Sequence, residues 1–151
     1  MGLDMYLYAE SYISGWNHGK GPDPLYQTLL DHFRMERNED SPHAEVSLCV
    51  GYWRKVNAVH NWFVQNCGGG VDECQKIYVS REKLHELYTL CKKVLANKEN
   101  PEEHLPPVDG FFFGGTEIDE WYWQGIQYTH DLIEGLLNRD DLDTFYYQAS
   151  W

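Results

Sequence analysis

Nowhere does the 151-residue chain set side by side the ~18 apolar residues that a membrane-spanning helix needs, so no span is expected. The opening MGLDMYLYAESY has neither a basic n-region nor an apolar h-region and does not read as a signal peptide. Tyr6 stands where myristoylation after Gly2 wants Ser or Thr. Positive charge is scarce: 12 Lys and Arg face 24 Asp and Glu, a formal charge of −12. Such a field repels polyanions, which disfavours non-specific binding to a nucleic-acid backbone, while a local basic spot such as Arg54–Lys55 can still hold one or two phosphates. There is no GxSxG, no HExxH and no compact Cys/His signature, so the usual nucleophilic and zinc-hydrolase motifs are missing. The four cysteines, Cys49, Cys67, Cys74 and Cys91, lack CxxC spacing. With His60 and His85 they supply metal-ligand types without a zinc pattern, so neither a metal nor another cofactor is expected. Free thiols in a cytoplasmic setting are the reading that remains.

Aromatic residues are abundant instead, at 15% of the chain, and they cluster around Trp53, Trp62 and Phe111–Trp123. Surplus packing is one use for them, and stacking on a flat ligand is another. At this length the expectation is a single domain over residues 1–151.

Gly2–Ala9 alternates, with Leu3, Met5, Leu7 and Ala9 on one face, and reads as a half-buried strand. Ser14–Pro24 is a Gly- and Pro-rich loop, followed by a helix over Leu25–Arg37 with Leu25, Leu29 and Phe33 inward. Asn38–His43 is a polar turn. Glu45–Cys49 is a brief strand or the lead-in to the next element. Val50–Cys67 predicts one helix, because Tyr52, Val56, Val59 and Phe63 recur at i, i+4, i+7 and i+11. Gly68–Gly70 permits its reversal. Gln75–Val79 is a short strand, and Ser80 caps a helix over Arg81–Asn97. After the acidic loop Lys98–Asp109, Gly110–Phe113 reads as buried and extended. Thr116 and Asp119 form a capping-box variant opening a helix to about Leu137. Thr144–Trp151 is a C-terminal strand beside the first. The class is α+β: a small mixed or antiparallel sheet with three to four helices packed on it.

Two constellations carry possible chemistry. On the expected central helix, Arg54, Lys55, Asn57 and Asn61 gather beside Trp53 and His60. Arg supplies a planar fork for phosphate, and Asn and His can read a base edge. The bland alternative leaves Arg54 and Lys55 solvated and bonds Asn57 and His60 to neighbouring backbone. The second is the stretch GFFFGGTEIDEWYW, Gly110–Trp123. Glu117, Asp119 and Glu120 would repel a phosphate at that helix start and suit amino or hydroxyl groups. Trp121 and Trp123 add flat surfaces. His60 with Glu117 or Glu120 would make an acid–base pair if the two helices meet.

The start MGLDMYLY, the segment YWRKVNAVHNWFV and the segment GFFFGGTEIDEWYW together resemble a family of short proteins encoded by bacteriophages and prophages. The resemblance implies a context, an accessory viral protein in the host cytoplasm with a counter-defence role, and assigns no ligand and no catalytic residue. The expectation is therefore a homo-oligomeric, non-enzymatic protein that sequesters a small nucleotide-derived signal. Trp53, Arg54, Lys55, Asn57, His60, Asn61, Glu117, Glu120, Trp121 and Trp123 are its candidate ligand-binding residues. An acidic inhibitor mimicking nucleic acid is the first alternative, and a nucleotide-degrading enzyme using His60 and a carboxylate is the second.

Overall fold

A computed structural model describes residues 2–17 and 19–151; His18, inside the expected Ser14–Pro24 loop, and Met1 lie outside the described residues. The class is α+β: four helices and a four-stranded, open antiparallel sheet. The elements run β1 (Asp4–Ser14), α1 (Pro24–Phe33), β2 (His43–Arg54), α2 (Asn57–Asn66), β3 (Ile77–Val79), α3 (Arg81–Ala96), a 3-10 turn (Pro101–Glu103), α4 (Glu120–Leu137) and β4 (Thr144–Ser150). Strand order is β2-β1-β4-β3, so the first and last strands are neighbours as expected. Among the described residues, no helix is long and apolar enough to cross a membrane.

The chain forms two compact units, one of residues up to Ala9 together with Cys49–Trp151, the other Glu10–Leu48. In the larger unit, the alternation along the first strand buries Leu3, Met5, Leu7 and Ala9. Phe145, Tyr147 and Ala149 of β4 do the same. The register of β3 on β4 sets Ile77 opposite Tyr147 and Val79 opposite Phe145. Ser80 caps α3, its Oγ accepting the Lys83 N–H at 3.2 Å, and Leu84, Leu87, Cys91 and Val94 turn inward at helical spacing. On α4 the stripe Tyr122, Ile126, Thr129, Ile133 and Leu136 is buried.

Arg81, at the start of α3, closes the far end of α4. Its guanidinium donates to the carbonyls of Leu137 at 2.9 Å, Arg139 at 2.8 Å and Leu142 at 2.7 Å. The Leu137 oxygen, in the last turn of α4, has no partner within the helix, and the other two belong to the segment that leaves it. Arg81→Ala is expected to lower stability by about 2 kcal/mol, or ~4–8 °C in melting temperature, checked by calorimetry. An unchanged melting curve would show that solvent replaces all three bonds.

The predicted helix over Val50–Cys67 does not form as one element. β2 continues to Arg54, and α2 starts only at Asn57. Gly51 and Trp53 face the core while Tyr52 and Arg54 face outward, which is strand alternation. Lys55 then takes the left-handed conformation, φ +57°, and breaks the path between them. The i, i+4, i+7, i+11 series straddles that break. Its members on α2 are part of a helix buried almost all round, from Asn57 to Val64.

Gly110–Phe113 is a turn, closed by Phe113 N–H to the Gly110 carbonyl at 3.0 Å, and Phe111 is 95% exposed. Its Phe112 carbonyl accepts the Leu3 N–H at 3.0 Å, a single bond just ahead of β1 that is not continued into a ladder. Asp119, rather than Thr116, is the N-cap of α4, its Oδ1 accepting the Tyr122 N–H at 3.0 Å.

In the smaller unit, Asp23 caps α1 and Arg34 ends it with φ +54°. Leu25 is exposed and Phe33 is 68% exposed, against the expected inward face. Tyr26 is the buried residue, its ring packed so tightly on Gly15 that a Cβ there would come within 2.5 Å. Gly15 N–H bonds the Pro42 carbonyl at 2.8 Å, which pins the chain on either side of α1.

Candidate functional site

Within the larger unit, α4 lies so close to the β2–α2 junction that added Cβ atoms would collide. At Gly125 one would meet Val56 at 2.8 Å, and at Gly51 one would meet Leu132 at 2.5 Å. Trp53 is locked into this seam, its indole N–H donating to Thr129 Oγ1 at 2.8 Å. Toward the N-terminal end of α4 the elements part. The end of β2, the Lys55 turn, the start of α2, the 107–119 loop and the first turns of α4 then enclose a cavity of about 610 Å³.

One residue shapes the loop wall. Asn57, 5% exposed, donates from Nδ2 to the carbonyls of Phe113 at 3.1 Å and Gly115 at 2.9 Å. Its Oδ1 accepts the Val108 N–H at 3.0 Å. Gly114 sits between the two carbonyls with φ +88°, and a Cβ there would lie 3.4 Å from the Lys55 Cβ. Both the backbone sign and the close approach call for glycine.

Of the ten sequence-derived candidates, Trp53, Arg54, Lys55, Asn57, Glu117 and Trp121 line the cavity. Their roles differ from the expected ones. Trp53 is buried, edge-on to Phe63 and Tyr128, and offers no free face for stacking. All of Asn57's polar edge is spent on the loop. Trp121, 77% exposed, keeps its ring available.

Arg54 lies 3.7 Å from Asp4, whose carboxylate also accepts the Tyr52 hydroxyl at 2.5 Å. That hydrogen bond to Asp4 raises the Tyr52 phenol above its ordinary pKa. Lys55 and Glu117 have no ion pair or side-chain hydrogen bond among the described residues.

His60, Asn61, Glu120 and Trp123 do not line this cavity. Glu120 and Trp123 line a shallower depression, where the Lys98 ammonium sits 5.1 Å from the Trp123 ring centre. His60 is 1% exposed. Its Nδ1 is 2.6 Å from the Tyr147 hydroxyl and its Nε2 is 3.0 Å from Asp72 Oδ2. Burial pushes the Tyr147 phenol well above its ordinary pKa, so it stays protonated and donates to Nδ1. Nε2–H then donates to Asp72, which also accepts the Trp151 indole N–H at 3.2 Å. This chain of donors ties α2, the 67–76 loop and the C-terminal strand together. His60 is thus paired with Asp72 and not with Glu117 or Glu120.

Sequence reasoning passed over Tyr52 and Tyr128, which are exposed and line the cavity with Trp121. The Tyr128 hydroxyl accepts the Tyr52 N–H at 3.2 Å, so the two rings are positioned together. The alternation of Gly51 and Trp53 against Tyr52 and Arg54 was the available signal for Tyr52.

Burial raises the Cys67 thiol to about 11 and the Cys91 thiol to about 12, which suppresses the thiolate form. Among the described residues the close group of metal-ligand types is His130, Asp131 and Glu134 on α4, not the cysteine set. Its members are already engaged: His130 stacks on Tyr88 at 4.9 Å and bonds Asp131, and the Tyr88 hydroxyl bonds Glu134 at 3.0 Å. Compared with protein-family models, curated proteins and solved structures, the chain finds no match in any of the three.

Proposed function

We propose that this protein binds a small nucleotide-derived molecule in the cavity between β2, α2 and α4 and holds it without turning it over. The observation that carries this reading is the company kept there. Arg54 and Lys55 share a cavity of about 610 Å³ with the exposed rings of Tyr52, Trp121 and Tyr128. Cations suit a phosphate, and flat rings suit a base. The volume is within the range of small-ligand sites, roughly 300–1,000 Å³. A degrading enzyme is less well supported, because His60 is consumed by Tyr147 and Asp72 and does not line the cavity.

On the resemblance to phage and prophage proteins, the proposal sets this capture in an infected cell, where sequestering an immune signal in the cytoplasm would be a counter-defence. Exposed aromatics make a homo-oligomer part of the proposal, and light scattering at micromolar concentration tests it. The central test is mass spectrometry of small molecules released by denaturing protein purified from infected, signal-producing cells. Intact nucleotide at near-stoichiometric yield is expected. Hydrolysed products would favour an enzyme. Release of nothing, with a host nucleic-acid-binding protein retained instead, would favour the acidic mimic.

Two variants examine the cations. Arg54→Ala is expected to weaken ligand binding about ten- to hundredfold, since a charged hydrogen bond contributes ~1.5–3 kcal/mol. Its exposed pair with Asp4 contributes little to the fold. Lys55→Gly removes the other cation but relieves a left-handed non-glycine residue, a strain of about 1 kcal/mol. It should bind worse while melting at the same temperature or higher. Normal binding by both variants would move the phosphate away from this wall.

A further inference from the structure

The charges around the cavity do not favour the most highly phosphorylated nucleotides. Facing Arg54 and Lys55 are Glu117 and Asp119, so the walls sum to zero within a chain of net charge −12. Arg54 already shares the Asp4 carboxylate, and Asp119 is turned to the Tyr122 N–H. Among the described residues that leaves Lys55 and Glu117 without an ion pair or a side-chain hydrogen bond. Both line the cavity, and Gly114 packs against the Lys55 side chain three residues before Glu117.

Each unpartnered charge calls for its complement. Lys55, with help from Arg54, can neutralise one phosphate. A second or third phosphate would meet Glu117, Asp119 and the acidic field of the chain with no further cation to receive it. Glu117, an acceptor only when ionised, calls for a donor; on a base that is an exocyclic amino group or a ring N–H, and the ring N–H of an oxo base lies beside a carbonyl oxygen that repels a carboxylate. We infer that the cavity selects nucleotides bearing a single phosphate and an amino-substituted base, over di- and triphosphates and over bases with oxygen in place of that amino group. This rests on the nucleotide-binding reading above and deepens it.

Isothermal titration of the full chain with AMP, IMP, ATP, CMP, UMP and 3′,5′-cyclic AMP tests the inference, repeated with Glu117→Gln. Glu117 is exposed, so the variant should keep its melting temperature. Expected is binding of at least one of AMP, CMP and cyclic AMP, with ATP about tenfold weaker or more and with AMP preferred to IMP, or CMP to UMP, by about tenfold. Glu117→Gln should narrow both gaps several-fold.

If a monophosphate binds but ATP binds as well or better, the single-phosphate selection is wrong. If the amino and oxo partners bind equally, or Glu117→Gln leaves both ratios unchanged, the assignment of Glu117 is wrong. In those cases the nucleotide-binding reading survives. If none of the six binds, this inference falls, and the released-ligand mass spectrum decides the nucleotide-binding reading separately.

Discussion

Asn57→Ala is expected to unfasten the 107–115 loop and to lower the melting temperature by about 6–12 °C, from a loss of ~3 kcal/mol spread over three part-buried hydrogen bonds. The side chain bonds Val108 N–H, the Phe113 carbonyl and the Gly115 carbonyl, the last two on either side of Gly114, which packs on Lys55. Removing it leaves those backbone groups to find water in a place with little of it. Asn57→Asp separates the two ends: it keeps the acceptor for Val108 and loses both donors, setting a carboxylate against two carbonyls. It should be as harmful as alanine or worse. Limited proteolysis across Leu105–Asp119 should show the loop opening in both variants. A melting shift below ~2 °C with normal protease resistance would mean that the loop holds itself.

His60→Phe is the second large effect. The ring volume is nearly kept, but the Tyr147 hydroxyl and Asp72 both lose their partner in a place where His60 is 1% exposed. Two such losses, one of them to a carboxylate, cost about 2–4 kcal/mol. Tyr147→Phe alone should also destabilise, because Nδ1 is then left without its donor. In the His60→Phe background the same change should cost much less, since the hydroxyl it removes has already been stranded. A double-mutant cycle measured by urea unfolding gives that coupling. Full additivity would show that His60 and Tyr147 act separately and that the network is only a set of neighbours. Ligand affinity should be little changed by His60→Phe, as the ring lies outside the cavity lining.

The misreading at the centre of the chain has a plain physical origin. Helical periodicity was read across Val50–Cys67 because apolar residues recur there at the right intervals. A strand feeding a fully packed helix produces the same recurrence, since both elements are rich in apolar positions. Only the left-handed Lys55 separates them, and a lysine carries no local signal for that conformation. Gathering Arg54, Lys55, Glu117 and Trp121 as candidates survived the error, as adjacency in sequence kept the first two together on either element. Asn57 and His60 were rightly singled out as polar groups beside a core. Their partners were not legible, because Phe113, Gly115, Asp72 and Tyr147 lie 12 to 87 residues away.

By itself the sequence determined the elements whose signals are local. Alternation set the first and last strands, Ser80 and the Leu84–Val94 spacing set α3, and the Tyr122–Leu136 stripe set the buried face of α4. Such features depend on backbone geometry and nearest neighbours, which a chain carries wherever it folds. The tertiary structure alone decided the order β2-β1-β4-β3, the left-handed turn at Lys55, and the pairing of Arg54 with Asp4. It also decided which polar groups were spent on the fold, as Asn57 and His60 are, and which stayed open, as Lys55 and Glu117 do. The reason is that a polar side chain's role depends on what packing brings within about 3 Å of it, and packing joins residues that no local pattern links.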